Sequence, residues 1–162
     1  MLRFSDRREA GRLLASLLGE YTDRADVVVM PVRMRAAPVA EGLSAVLGAR
    51  HLPAYAESDA LAVLGGRTVI LVDDGFDSID RMREAAIVAR GCDAVRIVAA
   101  GPVGTVDACR AISSMVDRSV CLSMPTPFRS VGFWYDDSFR AAARAVFVGQ
   151  PRTRSRLAEV GR

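Results

Sequence analysis

Short blocks of consecutive aliphatic residues alternate along this chain with longer stretches in which apolar positions recur every three to four residues. Val27-Val28-Val29-Met30 and Val69-Ile70-Leu71-Val72 are continuous, too short and too β-branched for helices, and read as central strands buried on both faces. The same pattern predicts strands near 26–31, 49–55, 67–73, 94–100 and 118–123, with helices near 5–21, 36–48, 78–90, 104–116 and 136–147. In the first helix Ala10, Leu13, Leu14, Leu17 and Leu18 form the buried stripe and Ser5 is the candidate cap. In the third, Met82, Ala85, Ala86 and Ala89 recur at helical spacing before Gly91 ends it. Strands separated by helices predict an α/β chain: three layers, a mostly parallel five-stranded sheet with helices on both faces and right-handed crossovers. The carboxyl ends of the first and third strands then converge, which is where open sheets of this kind bind ligands.

Length and charge place this pattern in one domain. The 162 residues suffice for a single core burying roughly 70% of the unfolded surface. The expected division is a domain over 1–150 and a basic tail over 151–162. All 22 basic residues are arginine, and the whole excess of positive charge lies in that tail, where Arg152, Arg154, Arg156 and Arg162 face only Glu159. A solvated, disordered end is expected there rather than a nucleic-acid arm. The absence of lysine excludes a lysine-dependent Schiff base. No apolar run approaches the ~20 residues that cross a bilayer, so no membrane partner and a cytoplasmic location are expected. Cys92, Cys109 and Cys121 have neither disulfide nor zinc spacing and are expected as buried free thiols. His51, the only histidine, is expected to be structural or on the surface.

The chemistry concentrates after the third strand, in Asp73-Asp74-Gly75-Phe76-Asp77-Ser78-Ile79-Asp80-Arg81. A carboxylate pair stands where a buried strand ends, beside a helix N-terminus that Asp77 or Ser78 can cap. The plain alternative is an acidic pair that merely ends a strand and begins a turn.

The segment "ILVDDG" followed by a short loop and a helix resembles the phosphoribosyl diphosphate (PRPP) motif of type I phosphoribosyltransferases. Three further blocks resemble one bacterial branch of that family: "FSDRREAGRLLASLL" (4–18), "APVAEGLSAVLGA" (37–49) and "PTPFRSVGFWYDDSF" (125–139). The resemblance implies the type I phosphoribosyltransferase fold. It also implies a transferase of the glycosyltransferase class, serving nucleotide metabolism, that moves ribose 5-phosphate from PRPP to a nucleobase. On that reading Asp73 and Asp74 hold the ribose hydroxyls and, through water, Mg²⁺, with no direct metal ligand. Gly75, Asp77, Ser78, Ile79, Asp80 and Arg81 form the 5-phosphate loop. Arg33, Met34, Arg35 and Ala36 stand at the pyrophosphate loop, and Phe133 and Trp134 are placed to stack on the base. Such catalysis works by positioning and charge stabilisation.

The chain departs from the family pattern at three places. The 5-phosphate loop has Ile79 where close backbone approach favours glycine, and Asp77 and Asp80 bring negative charge toward a dianion. At ~4 Å each such pair repels by about 4 kcal/mol at an effective dielectric of 20. The same residues read more simply as a self-capped helix, with Asp77 as cap and Asp80 in the first turn, their carboxylates standing where a phosphate would. The pyrophosphate loop has lost its glycines, though Arg33 and Arg35 keep fork-shaped donors suited to phosphate oxygens. The cover, or hood, expected between the second and third strands is reduced to 55–67. Three functions follow: a degenerate phosphoribosyltransferase-fold protein with lost or reduced activity that keeps a nucleotide or sugar-phosphate site; an active Mg²⁺-dependent enzyme; or a homodimeric regulatory or scaffolding subunit. The aromatic cluster suits either a base or a contact that staples the C-terminal segment to the sheet. The first function is the reading carried forward.

Overall fold

The protein is described by a computed structural model that covers residues 2–138 and 140. Its centre is a five-stranded sheet, wholly parallel, in the order β2-β1-β3-β4-β5. The strands are β1 (Val27–Pro31), β2 (Arg50–His51), β3 (Thr68–Val72), β4 (Arg96–Val103) and β5 (Arg118–Ser123). The helices are α1 (Arg7–Leu14), α2 (Ala37–Leu47), α3 (Ser58–Leu61), α4 (Asp80–Gly91) and α5 (Val106–Ser113). The second strand is two residues long where seven were expected, and the fourth runs three residues further than its pattern predicts.

Alternation along the strands divides the core into the two faces of the sheet. Val27, Val29, Ile70, Val72, Val98 and Ala100 pack with Leu14 of α1 and with Val39, Ala40, Leu43 and Leu47 of α2. Val28, Met30, Val69, Leu71, Ile97 and Ala99 pack with Met82, Ala86 and Ala89 of α4 and with Ala108 and Ile112 of α5. Helices therefore cover both faces, and the continuous aliphatic blocks are the strands with apolar neighbours above and below.

The first helix differs from its prediction. Asp6, not Ser5, is the cap: its side chain accepts from the Glu9 N–H, and the regular helix ends at Leu14 before two 3₁₀ turns. Within the regular helix the buried stripe is Ala10, Gly11 and Leu14, which leaves Leu13 on the exposed side; past the break Leu17 is exposed and Leu18 buried. The helix also approaches α2 more closely than any side chain allows. A Cβ on Gly11 would lie 2.0 Å from the Val39 carbonyl oxygen, and one on Gly42 would lie 2.1 Å from that of Arg8. The two glycines thus set the spacing of α1 against α2.

Helix α4 includes Gly91 and closes on Cys92, with Asp93 taking the left-handed conformation. The described cysteines are free but half-buried rather than fully buried, and His51 is exposed. Between β2 and β3 stand only the single turn of α3 and a 3₁₀ turn, so the hood is short, as expected. No helix among the described residues is long and apolar enough to cross a membrane. Of the helix expected over 136–147, residues 136–138 and 140 are helical. The rest of it, and the tail over 151–162, lie outside the described residues.

Candidate functional site

Parallel register brings the expected site together. Pro31 pairs with Val72 across β1 and β3, and the Val32 N–H donates to the Val72 carbonyl at 3.0 Å. The residues following each strand are therefore neighbours: Arg33 from β1, and Asp73 and Asp74 from β3. Both carboxylates are buried, Asp73 at 1% exposure and Asp74 at 0%. Charges taken out of water in this way require partners.

The partners are arginines. Nε and Nη2 of Arg33 donate to Oδ1 and Oδ2 of Asp73 at 2.7 and 2.6 Å, a two-bond fork. Nε and Nη2 of Arg7, at the start of α1, both reach Oδ2 of Asp74, at 3.0 and 2.9 Å. Arg7 is itself held from three sides: Nη1 donates to Asp137 Oδ1 at 3.3 Å and to Ser138 Oγ at 3.0 Å, and the guanidinium lies 4.4 Å from the Tyr135 ring centre. The Tyr135 hydroxyl donates to the Asp74 carbonyl, and the Asp74 N–H donates to Asp73 Oδ1 at 2.8 Å. Arg35 stands further out, exposed, its Nε 3.9 Å from Asp74 Oδ2.

Burial and pairing act on these groups in opposite directions. Burial pushes the Asp73 carboxyl up to about 6, and the Arg33 fork, which pulls it down, offsets only part of that rise. Arg33 is held more firmly protonated, chiefly by its hydrogen bonds to Asp73. Burial also raises the Tyr135 phenol, with the Asp74 charge adding to it. One atom has no donor: Asp74 Oδ1 is buried without a hydrogen-bond partner, its neighbouring cation being Arg33 Nε at 3.8 Å.

The loop after the acidic pair is anchored inward. Phe76 is buried, its N–H donates to the Val103 carbonyl at 2.8 Å, and its carbonyl accepts from Thr105. Gly101 makes room for its ring, since a Cβ there would lie 2.8 Å from the ring carbons. Asp77 does not cap α4, contrary to expectation. Ile79 is the capping position with no side-chain bond, Ser78 Oγ accepts from the Asp80 N–H at 3.3 Å, and the Asp77 carboxylate instead approaches Arg33 Nη2 at 3.9 Å. The backbone enters the helix already in helical geometry at Ile79, one residue later than a cap at Asp77 requires. Asp80 lies in the first turn as expected, beside Arg83 at 3.4 Å. Arg81 pairs with Glu84 on the exposed side of α4.

The pyrophosphate-loop positions Met34, Arg35 and Ala36 form a 3₁₀ turn leading into α2, with Met34 exposed and Ala36 buried. Trp134 is 1% exposed and shares a cluster with Phe4, Ala10, Val103, Val131 and Tyr135, so its ring offers no face to a base. It belongs to the packing that staples the C-terminal segment to the sheet. Phe133 is half-buried, edge-on to Trp134, with Arg3 and Arg129 over its ring. A separate pocket opens beside the end of β1, lined by Met30, Val32, Tyr55, Leu61, Arg81 and Glu84.

Sequence reasoning did not single out Arg7, Tyr135, Asp137 or Ser138 as a set. Arg7 lay within a block quoted for its resemblance, yet nothing local marks it, because its partner Asp74 is 67 positions away.

The sheet order, the acidic pair at the end of β3 and the helix that follows define a type I phosphoribosyltransferase fold. The solved structures and named relatives agree. Two proteins from two strains of Mycobacterium tuberculosis, provisionally named phosphoribosyl transferases, are 32% identical over 98 residues, which is 60% of this chain. The chain spans only 22% of their length. A Thermus thermophilus protein superposes with a TM-score of 0.68 at 24% identity, over 86% of this chain and 97% of that one. The glutamine PRPP amidotransferase of B. subtilis, solved with ADP and GMP, superposes with a TM-score of 0.57 at 18% identity, over 74% of this chain and 35% of that one. No family model matches. The fold is that of type I phosphoribosyltransferases, and over 98 residues the sequence is similar to that of the two mycobacterial proteins.

With Arg33 and Arg7 seated on it, the acidic pair does not fit the Mg²⁺ and PRPP that this fold class implies. A hydrated cation and a ribose diol need carboxylate oxygens that face water. Here three of the four oxygens accept from guanidinium or backbone donors, and both side chains are enclosed.

Proposed function

We propose that this domain binds nucleotides or sugar phosphates without transferring phosphoribose from PRPP. The observation that carries the reading is the closure of the acidic pair by Arg33 and Arg7. Two departures support it. The short connection between β2 and β3 leaves little chain to exclude water over a reacting glycosyl centre. Seating Phe76 in the core draws the loop after the acidic pair toward β4. Binding is supported by what remains open: Arg35 is exposed beside the site, and the pocket near β1 has apolar walls that suit a base or sugar face.

The test has two arms. Pyrophosphate release is followed with PRPP, Mg²⁺ and each common nucleobase, and no release above uncatalysed hydrolysis is expected; turnover of any base overturns the loss of transfer. Calorimetric titration with AMP, GMP and ribose 5-phosphate is expected to show saturable binding of at least one. Absence of binding by all three at millimolar concentration overturns the retained site.

A further inference from the structure

We propose that Arg33 is a latch worked by anions: an oxyanion of the phosphate or sulfate class reaching Arg33 and Arg35 draws the Arg33 guanidinium away from Asp73, and Asp73 competes with the anion for that one fork. The proposal rests on the reading of the site as a closed, ligand-binding one, and adds how it opens.

Four features of the geometry support it. Arg33 is the accessible partner of the pair, its side chain 19% exposed against 1% for Asp73, so solvent ions meet the guanidinium and not the carboxylate. Both hydrogen bonds to Asp73 come from Nε and Nη2, the same planar edge that grips a phosphoryl group with two parallel bonds. Arg33 has one strong partner, whereas Arg7 is fixed by Asp74, Asp137, Ser138 and the Tyr135 ring together. Of the two arginines on the acidic pair, Arg33 is the one that leaves with fewer contacts broken. Arg35 lies two residues on, with a single long contact of 3.9 Å to Asp74, and presents a second guanidinium to the same anion.

Because carboxylate and anion exclude each other from one fork, each weakens the other by the same factor. Removing the carboxylate's charge therefore tightens anion binding. Asp77 provides the control. Its carboxylate lies 3.9 Å from the same Arg33 Nη2 but is 42% exposed and makes no hydrogen bond there. General electrostatic relief acts through both aspartates, while release of a gripping fork acts through Asp73 alone.

The experiment titrates the full chain with sodium sulfate at constant ionic strength, read by calorimetry, and compares Asp73→Asn with Asp77→Asn. The latch requires at least tenfold tighter sulfate binding in Asp73→Asn, no more than about threefold in Asp77→Asn, and loss of binding in Arg33→Gln. Equal effects of the two aspartate substitutions, or sulfate binding that survives Arg33→Gln, overturn it. Should Asp73→Asn fail to fold, the Asp73 carboxyl carbon resonance of the labelled native chain decides: it must shift on saturation with sulfate, and an unmoved signal overturns the latch. Sulfate that fails to bind either the native chain or Asp73→Asn also overturns it, while leaving the PRPP assay to judge the loss of transfer separately.

Discussion

Replacing Arg33 with methionine removes the guanidinium while keeping a long apolar stem, and its cost is predicted to depend on pH in a defined direction. Asp73 is 1% exposed and takes two hydrogen bonds from Arg33 at 2.7 and 2.6 Å. The attraction in such a pair is about 4 kcal/mol at ~4 Å and an effective dielectric of 20. Removing one partner of a buried ion pair typically costs about 3–5 kcal/mol, because the other charge is left uncompensated. That cost exists only while Asp73 is ionised. In the native chain burial already raises its carboxyl from 3.8 to about 6, and loss of Arg33 raises it further. A carboxyl raised in the folded state contributes stability at low pH that is lost as pH rises through its folded value. The variant's deficit should therefore be small below pH 6, where both folded chains hold the proton. Above pH 6 it should grow by about 1.4 kcal/mol per unit until the variant's own carboxyl ionises. Urea unfolding at pH 5.5, 6.5 and 8 measures it, with about 1–2 kcal/mol expected at the first and about 3–5 at the last. An equal deficit at pH 5.5 and pH 8 would refute the assignment of Arg33 as the compensating charge.

Two further substitutions test the surroundings of the site. Gly42→Ala puts a Cβ 2.1 Å from the Arg8 carbonyl oxygen; it should destabilise by about 1–3 kcal/mol through overpacking, despite the ~1 kcal/mol helix preference of alanine. An unchanged melting temperature would mean that α1 and α2 slide freely. Tyr135→Phe removes the donor to the buried Asp74 carbonyl but keeps the ring packed at 5.4 Å from Phe4; it should cost about 1–3 kcal/mol in chemical unfolding, and a neutral result would show that another donor takes over.

Much of the fold is legible in the pattern of residues because its signals are local. Runs such as Val27–Met30 and Val69–Val72 are buried on both faces, and that alone makes them parallel strands. The convergence of β1 and β3 follows from the same pattern. Leu17 misleads because helical periodicity continues through a stretch that the backbone breaks into 3₁₀ turns, and Leu13 because the buried stripe of the regular helix runs through Ala10, Gly11 and Leu14 instead. At the site, the position of the acidic pair could be read and its environment could not. Of the expected self-capped loop, Asp80 stands in the first turn of α4, while Asp77 turns toward Arg33 instead of capping the helix. It is the arginines that neutralise, and they do so at the acidic pair. Arg33 was visible as a cation near that pair, but whether its fork turns outward to an anion or inward to Asp73 depends on burial of the carboxylate. Spacing along the chain does not carry that information.

The two ends of the described chain meet beside the acidic pair. The Phe4 N–H donates to the Trp134 carbonyl at 2.9 Å, the Asp136 N–H donates back to the Phe4 carbonyl at 2.9 Å, and Arg7 and Tyr135 both close on Asp74. Asp74 thus acquires its final surroundings only after a further 61 residues, as far as Tyr135, have been made. On the ribosome the emerging sheet must carry a half-dressed carboxylate until those residues follow it. The last aromatic turn is then a completion signal, the point at which an immature, water-seeking centre becomes a sealed one.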